Sequence, residues 1–246
     1  MFTYQILIEY AGTKFVGWQK QKNGISIQEK IEKALKKVLK KKTTIFGSGR
    51  TDSGVHAIEQ SAHFKAYNKI NDKIIFLKSI NFFLSKNEIS ILDIKKKNFQ
   101  FHARYSAKKR TYKYIIINRN APLVLEKNRA WYLRKKLNLN LMKKGAIILK
   151  GTKDFSIFRS SSCSAKSPIK TLDEVKIKKF KSKIELSFTS QSFLQQQVRS
   201  MVGCLKFIGE KKWTIKQFRK IVSSKQRAEC APPAPSHGLF LYKIKY

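Results

Sequence analysis

The segment from Gly47 to Ala57 holds the residues of this chain whose types and spacing are best suited to chemistry. It places one carboxylate, Asp52, in a glycine-rich loop two residues after Arg50. Glycines allow unusual backbone angles and the close approach of a ligand. A neighbouring guanidinium favours the ionised carboxylate, and an ionised, rigidly presented carboxylate can act as a nucleophile. A simple turn with a solvated Asp–Arg pair has the same pattern, so these residue types alone leave both interpretations open.

The complete string from Gly49 to Ala57 resembles the catalytic motif GRTDAGVHA of the tRNA pseudouridine synthases of the TruA family. It differs from that motif only at Ser53, where the family has alanine, a small change that we expect the loop to accept. The resemblance covers nearly the whole chain, from a first strand at Tyr4–Tyr10 to Gly238–Leu241. It implies that Asp52 is the catalytic nucleophile, while the sequence leaves covalent attack and abstraction of a ribose proton open as routes. It further implies isomerisation of uridine to pseudouridine in the anticodon stem-loop of tRNA, and a homodimer that clasps one tRNA.

A second candidate, Tyr112, lies in the segment Arg110–Tyr114, where tyrosines alternate with basic residues. Aromatic and basic side chains in alternation suit a base-stacking platform with phosphate contacts. An ordinary core strand has the same pattern, and the residues alone do not separate the two. The family resemblance favours the first interpretation for Tyr112, because it aligns with the tyrosine stacked on the target uracil. Tyr114 is expected in the core.

A third candidate, Arg199, follows Val198 in an apolar helix. A lone arginine there usually packs its stem and keeps its head in water, but it can also point into a cleft and pair with a carboxylate. The surrounding segment resembles the family element FxxxMVRxxxG, with Gln197 in place of methionine. The resemblance implies a buried pair of Arg199 with Asp52, which would keep the carboxylate ionised and oriented. For Arg50 it implies contact with the RNA backbone; bracing the loop is the simpler alternative.

The elements predicted around these residues form an α+β protein. We expect two similar halves, residues 1–105 and 106–246, with mixed, mostly antiparallel sheets, helices packed on one face and the active-site cleft between them. Two helix starts are marked by capping boxes, at Ser26 with Glu29 and at Thr214 with Gln217. The Ser- and Lys-rich stretch at residues 151–170 is predicted to be a mobile loop.

The composition indicates a nucleic-acid partner. Lysine and arginine number 53 against 15 acidic residues, a formal net charge of +38, and a field of that size attracts polyanions. The lysines are spread along the chain, and drift in an AT-rich genome explains part of their number. The sequence has no apolar run that could span a bilayer and no signal-peptide pattern at its start, so the cytoplasm is the expected location.

The cysteines and histidines indicate neither a metal site nor a cofactor. Cys163, Cys204 and Cys230 form no CxxC pair, so we expect buried or idle thiols. A zinc-dependent nucleobase deaminase would need HxE and PCxxC elements, which the sequence lacks. A passive RNA-binding protein stays as the alternative, although it would not need Asp52 and Arg199 together.

Overall fold

The structure, a computed structural model, describes all 246 residues. The chain divides into two compact units. The first comprises Met1–Lys108 together with Leu241–Tyr246, and the second comprises Lys109–Phe240. The last six residues therefore belong to the first unit. The predicted division into folding domains at residue 105 stays a prediction.

The first unit is built on an antiparallel sheet. In it β1 lies between β4 and β3, β2 pairs with Ala62–Phe64 of β3, and the end of β10 lies next to β3. Two helices accompany the sheet, and α2 packs against both α1 and β4. The bounds are β1 Phe2–Tyr10, α1 Ile27–Leu39, β2 Ile45–Gly47, β3 His56–Ala66, α2 Lys73–Leu84, β4 Ile89–Lys97 and β10 Leu239–Lys245.

Helix α1 begins where the sequence predicts. The Ser26 hydroxyl accepts a hydrogen bond from the backbone N–H of Glu29 at 3.1 Å, which caps the first turn. Two further N–H groups of this turn donate to the preceding loop, from Ile27 to Gly17 at 3.1 Å and from Gln28 to Trp18 at 3.0 Å. The first backbone N–H groups of a helix have no acceptor within the helix, so they need such partners outside it. The start of α1 and the loop before it therefore form one hydrogen-bonded piece.

The second unit contains a four-stranded order β5-β9-β8-β7. Its neighbouring strands are antiparallel, and the short β6 pairs in parallel with β5. Helix α3 packs against α4, α5 and β8. The bounds are β5 Lys109–Asn118, β6 Trp131–Leu133, α3 Leu139–Leu149, β7 Gly151–Asp154, β8 Ile169–Phe180, β9 Lys183–Ser190, α4 Gln197–Gly209 and α5 Ile215–Ser224.

The predicted α+β class with mostly antiparallel pairing is confirmed, and so is the capping box of Thr214 with Gln217. The prediction of a loop throughout residues 151–170 is wrong at both ends, because β7 occupies its start and β8 its last two residues. Just after β7, Phe155 and Phe158 are completely buried. The high Ser and Lys content of the stretch suggested a loop, but the burial of these two phenylalanine side chains fixes the chain in place. No helix of the protein is both long and apolar enough to cross a bilayer.

The buried His63 of β3 makes the stability of the first unit depend on pH. Its Nδ1 accepts a hydrogen bond from the backbone N–H of Ala103 at 3.1 Å, and its ring lies 4.6 Å from that of His102. Burial, assisted by the charge of His102, lowers the pKa of His63 from 6.5 to about 4. The folded state therefore binds fewer protons than the unfolded state between these two values. The stability that His63 contributes is complete above pH 6.5 and is lost as the pH falls to about 4.

We predict that His63→Gln, which keeps a hydrogen-bond acceptor but cannot titrate, flattens this dependence. Thermal melting of the variant and the wild type at a series of pH values between 7 and 4 measures the effect. The wild type should lose more stability than the variant across this window. Equal losses would show that other groups, such as His102, whose pKa is also lowered by burial, cause the dependence.

Candidate active site

The loop that contains Asp52 connects β2 to β3 within the first unit. It closes with a tight turn, in which the backbone N–H of Val55 donates to the carbonyl of Asp52 at 3.2 Å. Gly54 adopts a φ of +77° in this turn, a conformation that favours glycine. Asp52 is half-buried and Arg50 is exposed. The carboxylate is therefore presented on a fixed backbone, with the guanidinium of Arg50 extending into solvent from the same loop.

Residues 11–18, which we call the bracing segment, hold the loop from one side. The backbone N–H of Trp18 donates to the carbonyl of Thr51 at 3.1 Å, and that of Gly54 donates to Phe15 at 3.4 Å. The hydroxyl of Ser53 also donates to the Phe15 carbonyl, at 3.1 Å. The one departure from the family motif therefore adds a hydrogen bond that alanine could not make. The residues on both sides of Asp52 are hydrogen-bonded to the bracing segment.

Two glycines of the bracing segment allow the close approach. A Cβ atom at Gly12 would lie 2.0 Å from the carbonyl oxygen of Val55, and one at Gly17 would lie 2.6 Å from that of Thr51. Contacts this short with backbone atoms cannot be relieved by a side-chain rotation. Gly17 also has a φ of +115°. No residue with a side chain fits at either position without moving the Asp52 loop.

Gln60, which is completely buried in β3, holds the other end of the loop. Its Nε2 donates to the carbonyl of Gly49 at 2.8 Å, and its Oε1 accepts from the hydroxyl of Ser48 at 2.8 Å. The backbone N–H of Ser48 donates in addition to Ser61 at 2.8 Å. A buried amide with satisfied partners rigidifies its surroundings. The chain therefore enters the Arg50–Asp52 stretch from a fixed point.

Tyr112 lies in β5, opposite Phe188 of β9, and only 8% of it is exposed. Its ring meets the ring of Phe193 edge to face, with the centroids 5.2 Å apart. Two residues later along the same strand, Tyr114 is completely buried, and its hydroxyl donates to the carbonyl of Pro235 at 2.8 Å. The expectation that Tyr114 belongs to the core is confirmed.

Arg199 lies in the first turn of α4 and is half-buried. Its Nε donates to the carbonyl of Ala234 at 2.7 Å, and the N–H of Ala234 donates to the carbonyl of Arg199 at 3.0 Å. A Cβ at Gly203, one turn later, would lie 2.1 Å from the Pro232 carbonyl oxygen. The segment before β10 therefore packs directly on α4 and fixes both the backbone and the side chain of Arg199.

Gln197 stands where the family pattern has methionine, and the structure shows what it does there. Its side chain is buried, and its Oε1 accepts from the backbone N–H of Leu194 at 2.8 Å. Its Nε2 is buried without a hydrogen-bond partner, which is unfavourable. The amide thus ties the residues before α4 to its first turn, at the cost of one unsatisfied donor.

No sequence pattern pointed to His237, which lies close enough to Arg199 for the charge of the guanidinium to act on its ring. Burial lowers the pKa of His237, and the positive charge of Arg199 lowers it further. The ring is therefore neutral at physiological pH and adds no charge beside Arg199. His237 belongs to none of the motifs recognised in the sequence, so only the fold shows this neighbour.

The structure thus places Arg50 and Asp52 in the first unit and Tyr112 and Arg199 in the second. The role of each of these residues, and the pairing of Arg199 with Asp52, stay predictions. No cluster of three or more histidine, cysteine, aspartate or glutamate side chains is arranged to hold a metal ion.

Comparison with known proteins gives the chain a family. Residues 6–106 and 146–246 match the sequence profile of the family described as tRNA pseudouridine synthase, which agrees with two similar halves. The chain is 59% identical over 246 residues, all of both chains, to the tRNA pseudouridine synthase A of Pelagibacter ubique (strain HTCC1062). It is 42% identical over 244 residues to that of Ehrlichia chaffeensis (strain ATCC CRL-10679 / Arkansas), covering 99% of each chain.

A third relative, the tRNA pseudouridine synthase A of Parvibaculum lavamentivorans (strain DS-1 / DSM 13023 / NCIMB 13966), is 41% identical over 243 residues, which are 99% of this chain and 98% of its own. Similarity at these levels along the full length, together with the profile match, shows that the chain belongs to the tRNA pseudouridine synthase family and is an isomerase.

Proposed function

We propose that this tRNA pseudouridine synthase modifies uridines in the anticodon stem-loop of tRNA, with Asp52 as the catalytic nucleophile. The observation that supports the role of Asp52 most strongly is the fixed backbone around it. The hydrogen bonds from Trp18 to Thr51 and from Gly54 to Phe15 enclose a half-buried carboxylate. A nucleophile that is held in one reactive position reacts faster, because its conformational entropy is already lost when the protein folds and not during the reaction.

The proposed reaction begins with attack of the Asp52 carboxylate on the bound uridine. The carboxylate bonds to C1′ as the N1–C1′ glycosidic bond breaks. The base rotates, and C5 then attacks C1′ and displaces the carboxylate, which regenerates Asp52. The hydrogen on C5 then leaves as a proton, and N1 gains one. Substrate and product are isomers, so no electrons are transferred and no activated donor is consumed.

The target uridine has to leave the base stack before Asp52 can reach it. Extrusion of a base costs on the order of a few kcal/mol, which an aromatic partner can offset. We assign this role to Tyr112, whose ring is already fixed edge to face against Phe193. An aromatic ring that is already fixed loses less conformational entropy when it binds a flipped base, so it binds the base more favourably than a mobile ring does.

The proposal pairs Arg199 with Asp52. An opposite charge close to a carboxylate keeps it ionised, and a guanidinium with fixed geometry also orients it. Support comes from the bonds between Arg199 and Ala234, which fix the side chain at its Nε. The exposed Arg50 is assigned to the RNA backbone beside the flipped nucleotide.

The choice of tRNA region and the assembly follow from the family resemblance. We propose that two copies of the chain clasp one tRNA, that the targets lie on the 3′ side of the anticodon arm, and that the enzyme works in the cytoplasm. The net charge of +38 supports binding to a polyanion. Because phosphate contacts release counterions, binding should weaken steeply as the salt concentration rises.

We predict that Asp52→Ala abolishes turnover and leaves tRNA binding within about a few-fold of the wild type, since the carboxylate adds nothing to phosphate attraction. The measurement is release of tritium from tRNA that carries 5-tritiated uridine, with both proteins side by side. Pseudouridine formation must displace that hydrogen. Chemical mapping of pseudouridine in the same reacted tRNA shows where the wild type acts.

Release from the wild type alone, at uridines of the anticodon arm, supports the proposal. A large loss of tRNA binding in the variant would show that Asp52 is structural. Tritium release at uridines elsewhere in the tRNA would contradict the target assignment. Tight tRNA binding without release from either protein would point to a passive binder.

We predict that Arg199→Ala slows tritium release roughly a hundredfold to a thousandfold, the range found when a fixed charge-stabilising donor is removed from an active site. The exposed Arg219 of α5 provides a matched control, because Arg219→Ala removes the same charge from the protein surface. The control should retain near-normal rates. Near-normal turnover of Arg199→Ala would refute the pairing with Asp52.

A further inference from the structure

Two of the three cysteines lie next to each other, although 26 residues separate them in the chain. The Sγ atoms of Cys204 and Cys230 are 3.5 Å apart. Cys204 belongs to α4 and is completely buried, whereas Cys230 follows the short turn at Arg227–Glu229 and is partly exposed. The sequence predicts isolated, idle thiols, and the fold shows a pair with one accessible member.

The surroundings of the two sulfur atoms make them chemically different. The hydrogen bond from Cys204 lowers the pKa of Cys230, and the nearby Arg227 guanidinium lowers it further, against the opposing effect of burial. The same hydrogen bond and burial raise the pKa of Cys204. The pair therefore favours a thiolate at the accessible Cys230 beside a thiol at the buried Cys204. A thiolate next to a second sulfur is the arrangement of a reactive cysteine with its resolving partner.

We propose that Cys204 and Cys230 form a redox-active dithiol, which a peroxide closes to an intramolecular disulfide, and that this closure slows turnover of the enzyme.

The oxidation balances in two steps. The Cys230 thiolate attacks one oxygen of hydrogen peroxide, which gives a sulfenic acid at Cys230 and releases hydroxide. The Cys204 sulfur then attacks the Cys230 sulfur, the S–O bond breaks, and the thiol proton leaves with the oxygen as water. Two thiols lose two electrons in total and the peroxide accepts them. A dithiol reductant reverses the closure by thiol–disulfide exchange.

Closure of the disulfide pulls on the segment that holds Arg199. A disulfide bond is about 2 Å long, so the sulfur atoms must approach each other from their present 3.5 Å. Cys230 lies only four residues before Ala234, whose carbonyl accepts from the Arg199 Nε. Between them, the Pro232 carbonyl packs against Gly203 without room for a side chain. A shift of this segment is therefore transmitted to the Arg199 side chain.

The effect on turnover rests on the proposed role of Arg199, whereas formation of the disulfide does not. A misplacement of about 1 Å near the reacting groups can cost up to about a hundredfold in rate. We expect the oxidised enzyme to release tritium from 5-tritiated tRNA roughly tenfold more slowly, a smaller effect because the shift is shared along the segment.

The test uses the full-length protein treated with hydrogen peroxide. Remaining thiols are alkylated, and the digest is analysed by mass spectrometry without reduction. We expect a cross-linked pair of peptides that contain Cys204 and Cys230, and a free, alkylated Cys163. Tritium release is measured on the reduced protein, the oxidised protein and the oxidised protein after treatment with dithiothreitol, which should restore the rate.

Three variants complete the design. Cys230→Ser removes the attacking thiolate, and its rate should no longer respond to peroxide. Cys163→Ser, the matched control, should respond like the wild type. Cys204→Ala at the buried position should give a Cys230 sulfenic acid that persists, which a dimedone probe detects. Melting curves confirm that each variant is folded.

Absence of the cross-linked peptides in a folded, peroxide-treated protein overturns the dithiol proposal. A cross-link without any change in rate overturns its effect on turnover. If the reduced protein releases no tritium, the proposed function fails, but the mass spectrum still decides whether the dithiol closes. The two failures are therefore distinguishable.

Discussion

The position of Asp52 depends on direct packing of one backbone segment against another. The bracing segment, residues 11–18, approaches the Asp52 loop so closely that Gly12 and Gly17 cannot carry a side chain. This packing brings the N–H of Trp18 and the carbonyl of Phe15 into hydrogen-bonding range of the loop. The bracing segment is in turn tied to the capped start of α1. The Asp52 carboxylate is thus held by the scaffold of its whole unit.

The second unit uses a similar device for Arg199. There Gly203 allows the carbonyl of Pro232 to approach α4, and Ala234 exchanges hydrogen bonds with Arg199 through both its N–H and its carbonyl. In each unit, glycine lets a neighbouring segment pack closely against the element that bears the charged residue. Side chains on loops are usually mobile. Close backbone packing is how this protein gives its charged groups fixed positions.

Sequence reasoning predicted the α+β class, most elements, the start of α1 at Ser26 and the capping box of Thr214 with Gln217, because these depend on local patterns. The motif around Asp52 could also be recognised from the sequence, since its residues are contiguous. The neutral His237 beside Arg199 and the pairing of Cys204 with Cys230 depend on contacts between residues far apart in the chain, and no local pattern encodes them. Composition misled the prediction at residues 151–170, because two buried aromatic residues outweigh many polar neighbours.

The most direct test of this account compares the glycine substitutions Gly17→Ala and Gly151→Ala. Both glycines have a positive φ, of +115° and +96°, so each substitution strains the backbone similarly. The new methyl group would collide with the backbone of the Asp52 loop at Gly17, whereas no atom lies within 4 Å of it at Gly151. With enzyme in excess over 5-tritiated tRNA and both variants folded, Gly17→Ala should release tritium about a hundredfold more slowly than Gly151→Ala. Equal rates would contradict the claim that the bracing segment positions the Asp52 carboxylate.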